Sequence, residues 1–157
     1  MLELTRGCSR VVELGTATAW TTITLALDDR RRRVVTYDVL ERDEAKRYLE
    51  LVGPDVREQI ELVVAAGSTG PRDQQSVELL YIDSSHAREE TIAEVQAWRP
   101  HLRPGALVLF DDYAHPDYPG VREAIEELGL EGEQRGELFI HQHGDLIGAQ
   151  APSRAGR

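Results

Sequence analysis

Two short apolar runs set the pattern of the chain. Leu79-Leu80-Tyr81-Ile82 stops at Asp83, and Leu107-Val108-Leu109-Phe110 stops at Asp111-Asp112. Between them, over about residues 87–98, Ile92, Val95 and Trp98 recur at helical spacing. An apolar run, a helix and a second apolar run predict a β-α-β unit whose parallel strands are covered on both faces. Upstream the same alternation repeats. Val11-Val12-Glu13-Leu14 reads as a buried strand broken by Gly15, followed by a helix over residues 16–26 that places Trp20 in the core with Ile23 and Leu27. Val34-Val35-Thr36-Tyr37 is a second strand, ended by Asp38. Asp43 is the predicted N-cap of a helix that carries Ala45, Tyr48, Leu49 and Val52 and stops at Gly53-Pro54. A short helical turn follows at residues 55–59, then a third strand, Ile60-Glu61-Leu62-Val63-Val64.

Residues 69–76 are polar, contain Gly70-Pro71 and show no period, so a loop stands where strict alternation would put a helix. Ser84 or Ser85 can cap the helix of the opening unit, with Glu89 and Glu90 near its positive end. Beyond the last buried run, residues 114–120 form a loop, and Val121, Ala124, Ile125 and Leu128 mark one face of a helix. Residues 137–141 and 146–149 read as two short strands about Gly144-Asp145, an antiparallel hairpin. Together these elements predict a single domain over residues 1–150, with a disordered tail at 151–157. The fold class is α/β: an open, doubly wound, mostly parallel sheet with a C-terminal antiparallel hairpin.

The chain has 157 residues, which is one domain's length, and 41% of them are hydrophobic. The net charge of −10 disfavours nucleic acid and anionic membrane as main partners, because both require positive counter-charge. Arg30-Arg31-Arg32-Arg33 is the one basic run and falls between two predicted elements, where a solvated turn is expected. Cys8 is the only cysteine, so no intrachain disulfide can form. No apolar run approaches the length of a membrane span and no secretory h-region opens the chain, so the expected location is cytoplasmic.

In doubly wound sheets ligands sit beyond the carboxyl ends of the strands. Asp83, Asp111 and Asp112 should therefore meet in one crevice. Two unit charges about 5 Å apart repel by roughly 3 kcal/mol at an effective dielectric near 20. The residues alone leave two readings: a divalent-metal site with oxygen ligands, or an Asp83 that caps the next helix beside a solvated Asp111-Asp112 turn.

The order of motifs resembles the class I S-adenosylmethionine-dependent methyltransferases. The resemblance is to their small O-methyltransferase branch, domains of the methyltransferase family 24 type. Four stretches carry it: Val11-Val12-Glu13-Leu14-Gly15-Thr16, then Asp38, then Tyr81-Ile82-Asp83-Ser84-Ser85-His86, and lastly the run from Leu102 to Tyr113 with its Phe110-Asp111-Asp112-Tyr113 end. The resemblance implies a Rossmann-like methyltransferase fold that uses S-adenosylmethionine. It implies cofactor contacts at Glu13, Gly15, Thr16, Asp38, Ser68 and Asp83, with Asp38 on the ribose and Ser68 near adenine. It implies a divalent cation (Mg2+) on Asp83, Asp111 and Asp112, and His86 with Asp83 as the catalytic pair. The implied reaction is metal-assisted O-methylation of a small hydroxylated molecule; the alternative is a shortened domain of this fold that binds or assembles without catalysis. A nicotinamide cofactor is disfavoured, since Ala17 and Trp20 stand where a dinucleotide loop needs glycine. Members of the family carry lid helices before the first strand. This chain begins almost at that strand, so a fold lacking N-terminal lid helices is expected, with a homo-oligomer, most simply a homodimer, to complete the pocket, or else weak cofactor binding.

Overall fold

The computed structural model describes residues 1–144. Seven strands form one sheet in the order β3-β2-β1-β4-β5-β7-β6. They are β1 (Arg10–Leu14), β2 (Arg33–Asp38), β3 (Ile60–Val64), β4 (Val77–Ile82), β5 (Leu102–Phe110), β6 (Glu133–Arg135) and β7 (Leu138–Gln142). The first five run parallel, and β7 joins β5 antiparallel. Helices α1 (Trp20–Asp28), α2 (Asp43–Leu51), α3 (Pro54–Arg57), α4 (Arg88–Trp98) and α5 (Pro119–Glu127) connect and cover them. Among the described residues no helix is long and apolar enough to cross a membrane.

The period of two along each strand divides the core between the two faces. Val12, Leu14, Leu80, Ile82, Val108 and Phe110 face one layer, which α4 closes with Val95 and Trp98. Val11, Leu79, Tyr81 and Leu109 face the other, closed by Ile23, Leu25 and Ala26 of α1 and Leu49 of α2. The chain leaves β1 for β2 and β3 on one side, and for β4 and β5 on the other. That reversal of strand order opens a crevice at the carboxyl ends of β1 and β4.

The alternation predicted from sequence stands, with local shifts. Helix α1 begins at Trp20, four residues late, because Ala17 and Ala19 take left-handed backbone (φ 44° and 66°). That start turns Trp20 outward: it is 59% exposed and leans on Tyr48 with ring centroids 4.8 Å apart. Trp20 is thus not the core residue its spacing predicts. Thr22 is buried instead, because its hydroxyl has a partner inside. Asp43 is the first residue of α2 and Arg42 its cap. Ala87, with no side-chain bond, caps α4 in place of either serine. The 69–76 loop is present, preceded by a single 3-10 turn, Gly67–Thr69. The first strand of the predicted C-terminal hairpin is present as β7, and it also closes a hairpin with β6 that the sequence does not suggest: Leu138–Ile140 pair with Glu133–Arg135 about a turn at Gly136. The strand expected at 146–149 and the tail at 151–157 lie outside the described residues.

Candidate active site

The crevice is built by close backbone packing. The Asp83 amide donates to Leu14 O (2.8 Å), and the Gly15 amide donates to Tyr37 O (2.8 Å). Gly15 holds φ +105°, and a Cβ there would lie 1.9 Å from the Asp83 carbonyl oxygen. The chain after β1 therefore crosses the end of β4 at a distance only glycine permits.

A cleft of roughly 410 Å3 opens beside that crossing. Its walls come from the ends of β1 and β2 (Gly15, Ala17, Asp38), the turn after β3 (Ala66, Gly67), the end of β4 (Asp83, Ser84) and α4 (Glu90, Glu94). Such a volume suits a nucleoside-sized ligand. Asp38 holds itself with two backbone bonds: one carboxylate oxygen accepts from the Ala17 amide and the other from the Leu40 amide, each at 2.9 Å. Each oxygen keeps a second lone pair for a ligand hydroxyl. A larger hollow of about 740 Å3 runs along β7, past Leu128 and His143. It carries none of the strand-end carboxylates, whereas Asp38 and Asp83 line the smaller cleft.

Next to this cleft, Asp83, His86 and Asp112 bring one ligand atom each within 4.8 Å of one another. His86 Nε2 is 3.3 Å from Asp83 Oδ1 and 3.1 Å from Asp112 Oδ2. The nitrogen is sealed from solvent and sits in close contact with both carboxylates. Both His86 (φ 58°) and Asp112 (φ 54°) are left-handed, a conformation that costs about 1–2 kcal/mol per non-glycine residue and is tolerated where the surroundings impose it. Tyr118 stacks on the His86 imidazole at 4.4 Å and on His115 at 4.8 Å. Asp111 points to the α1 side of the sheet, where the Tyr81 hydroxyl donates to it at 2.7 Å. Burial pushes the Asp83 carboxyl up, and Asp111 and Asp112 push the same way against His86. Contact with Asp83 raises His86, with Asp112 and Asp111 adding to it. Burial, then Asp83 and Asp111, raise Tyr81 far above its ordinary value, so its proton stays on oxygen.

Of the residues singled out from sequence, Gly15, Asp38 and Asp83 line the cleft, and His86 and Asp112 join Asp83 at its rim. Asp111 is one step removed, tied to Tyr81. Glu13 is 1% exposed and accepts hydrogen bonds from the hydroxyls of Thr22 and of Thr36 (2.6 Å for the latter). Thr16 joins that buried network, its Oγ1 2.7 Å from Thr36 Oγ1. Both stand behind the cleft wall. Ser68 donates to Glu90 Oε1 (2.8 Å). Tyr113 packs on Phe139 (4.8 Å) and covers the sheet edge. Sequence reasoning missed Arg42, Glu90, Glu94 and Tyr118. The first three line the cleft from loop and helix positions that carry no strand-end signal.

Among solved structures, the chain is similar to the TDP-rhamnose 3'-O-methyltransferase of calicheamicin biosynthesis. The two are 20% identical with a TM-score of 0.73, over 91% of this chain and 75% of that one. It is also similar to an O-methyltransferase from Bacillus cereus solved with SAH, at 18% identity and a TM-score of 0.70, over 90% of this chain and 76% of that one. At these identities the likeness establishes the fold. No curated protein matches the chain by sequence. Residues 12–113 match the family described as a methyltransferase domain, and that span holds the glycine turn, Asp38 and the Asp83–His86–Asp112 cluster. The chain therefore belongs to the methyltransferase domain family, S-adenosylmethionine-dependent methyltransferases of the class I fold.

Proposed function

We propose that this protein transfers a methyl group from S-adenosylmethionine to a hydroxyl of a small molecule, with a divalent cation at the rim. The observation that carries the reading is the convergence of Asp83, His86 and Asp112 beside a cleft that also holds Asp38. The donor set fits a divalent cation: the carboxylates of Asp83 and Asp112 offer hard oxygen ligands, and the His86 imidazole beside them is left to act as a base. The cleft fits an adenosyl group, since Asp38 retains acceptor capacity on both oxygens. When bound, the cofactor supplies an electrophilic methyl on a sulfonium, and the cation lowers the pKa of an acceptor hydroxyl and orients it.

The protein's own residues then have separate tasks. Asp38 takes the ribose hydroxyls. Gly15 admits the ligand against backbone. Asp83 and Asp112 hold the cation, and Asp111 steadies the rim from behind through Tyr81. His86 Nε2 takes up the proton that leaves the acceptor hydroxyl. Because the methyl is already activated, alignment of oxygen, methyl carbon and sulfur does most of the remaining work. The TDP-rhamnose 3'-O-methyltransferase, named as acting on a sugar nucleotide, supports a small hydroxylated acceptor.

Calorimetric titration with S-adenosylhomocysteine tests the cofactor site. Binding should be measurable and should weaken at least about tenfold in Asp38→Ala, the loss of charge-assisted hydrogen bonds to a ligand. Methyl transfer to a panel of phenols and sugars should stop in chelator and return with magnesium or manganese. Full turnover in chelator removes the metal role. A folded protein that gives no heat with S-adenosylhomocysteine or S-adenosylmethionine supports a binding or assembly module instead.

A further inference from the structure

One carboxyl in the cleft is only half satisfied. Glu94 sits in the second turn of α4 and is 1% exposed. Its Oε2 accepts from Ser84 Oγ at 2.8 Å. Its Oε1 is buried with no hydrogen-bond partner among the described residues. That oxygen lies against the turn after β3, where a Cβ on Gly67 would come within 2.5 Å of it. Burial, with a smaller push from Glu90, raises the carboxyl to about 7. Buried carboxyl oxygens in folded proteins almost always have partners, so an orphan in a ligand cleft points to a partner that arrives with the ligand.

The neighbouring groups define that partner. On the wall made by α4 and the turn after β3, the Ser84 hydroxyl is spent on Glu94 and the Ser68 hydroxyl on Glu90. Both serine hydroxyls are thus taken up by carboxylates, and Glu94 Oε1 is left as an unpaired acceptor. Ala66 and Gly67 beside them are small and apolar, a surface suited to one face of a flat ring. The wall calls for a planar group that carries N–H at its edge and would repel a carbonyl in the same place.

We propose that the Glu94 carboxyl accepts a hydrogen bond from the exocyclic amine of the cofactor's adenine and so selects an adenosyl over an inosyl nucleoside. The inference rests on the reading of this cleft as the cofactor site. Hypoxanthine puts a carbonyl oxygen where adenine has its amine, which would face the ionised Glu94 carboxylate acceptor to acceptor. Glu94 is thus a specificity residue, distant from the methyl group itself.

The test compares S-adenosylhomocysteine with S-inosylhomocysteine by calorimetry at about pH 8.5, where the Glu94 carboxyl is ionised. The unmodified protein should prefer the adenosyl form on the order of a hundredfold, the effect of exchanging a hydrogen bond for an unpaired buried acceptor. In Glu94→Gln the side-chain amide can present oxygen to an amine or N–H to a carbonyl, so the preference should fall to within about threefold while adenosyl binding persists. A Glu94 that only anchors α4 to Ser84 would weaken both nucleosides alike, and an unchanged ratio in the variant overturns the inference. Equal binding of both by the unmodified protein overturns it without any variant. If S-adenosylhomocysteine binds and Asp38→Ala weakens it while the base makes no difference, only the Glu94 assignment fails. If neither nucleoside binds, the cofactor site fails with it.

Discussion

Gly15 shows how one absent methyl group decides the shape of the rim. The sequence marks this glycine as a place where backbone nears a ligand. The structure finds a nearer neighbour, the Asp83 carbonyl oxygen, 1.9 Å from where a Cβ would be. Gly15→Ala meets both that clash and a φ of +105°. We expect a loss of at least about 3 kcal/mol, a fall in Tm of roughly 6–12 °C for a chain of this size, and loss of cofactor heat in calorimetry. An alanine variant with the parent's Tm would mean that β1 and β4 can part without cost. The same scale shows what was legible. Gly15, Asp38, Asp83 and Asp112 end buried strands, and an abrupt change from apolar to acidic or glycine is visible in one dimension. Glu90 and Glu94 are not visible that way. They are two of several glutamates on a helix, and only the packing of α4 over the turn after β3 distinguishes them from solvated ones. Asp111 and Asp112 are adjacent in sequence, yet the left-handed Asp112 sends their carboxylates to different partners, His86 and Tyr81. No spacing rule separates them.

Among the elements, the unit β4-α4-β5 reads cleanly because each part is strongly patterned and its ends carry breakers. The start of α1 does not. Two alanines in left-handed conformation stand where sequence gives no reason to expect them, and they displace the helix by four residues. Strand β6 is likewise illegible, because Glu133-Gln134-Arg135 are polar and exposed and carry no alternation to mark a partner for β7. Helix α4 is also what holds the cleft wall together. Trp98 Nε1 donates to Gly67 O (2.8 Å), and the Trp98 indole meets Tyr37 edge-on at 5.2 Å. Trp98→Phe keeps most of the apolar contact and leaves the Gly67 carbonyl without its donor. The expected cost is about 1–3 kcal/mol, the penalty of a buried unsatisfied acceptor. Because Gly67 lines the cleft, the nucleoside should bind more weakly in the variant as well. Unaltered binding alongside reduced Tm would show that the turn after β3 is held by its own backbone and not by α4.

At the scale of the whole molecule, two buried carboxyls make stability depend on pH in an unusual direction. Glu13 and Glu94 are both raised to about 7 from an ordinary 4.5, burial being the largest cause in each. A raised acid binds its proton more tightly in the folded state than in the unfolded state. Between about pH 4.5 and 7 the native chain holds protons that the unfolded chain has released, so stability falls as pH rises. For Glu13 the full shift corresponds to roughly 3 kcal/mol at 1.36 kcal/mol per unit, absent below pH 4.5 and fully felt above 7. The net charge of −10 adds a general repulsion of the same sign, so a declining curve in the parent protein does not by itself identify the group. The difference between variants does. Glu13→Gln keeps an oxygen for the Thr22 and Thr36 hydroxyls and cannot ionise. Chemical denaturation should find it close to the parent at pH 5 and more stable by on the order of 1–3 kcal/mol at pH 8. Thr22→Val should act oppositely. Removing a donor that favours the ionised form raises Glu13 further, so the variant should lose more stability at pH 8 than at pH 5. Parallel pH curves for parent and Glu13→Gln would show that Glu13 is charged in the folded protein at every pH tested, and that the hydroxyls of Thr22 and Thr36 outweigh the cost of burying it.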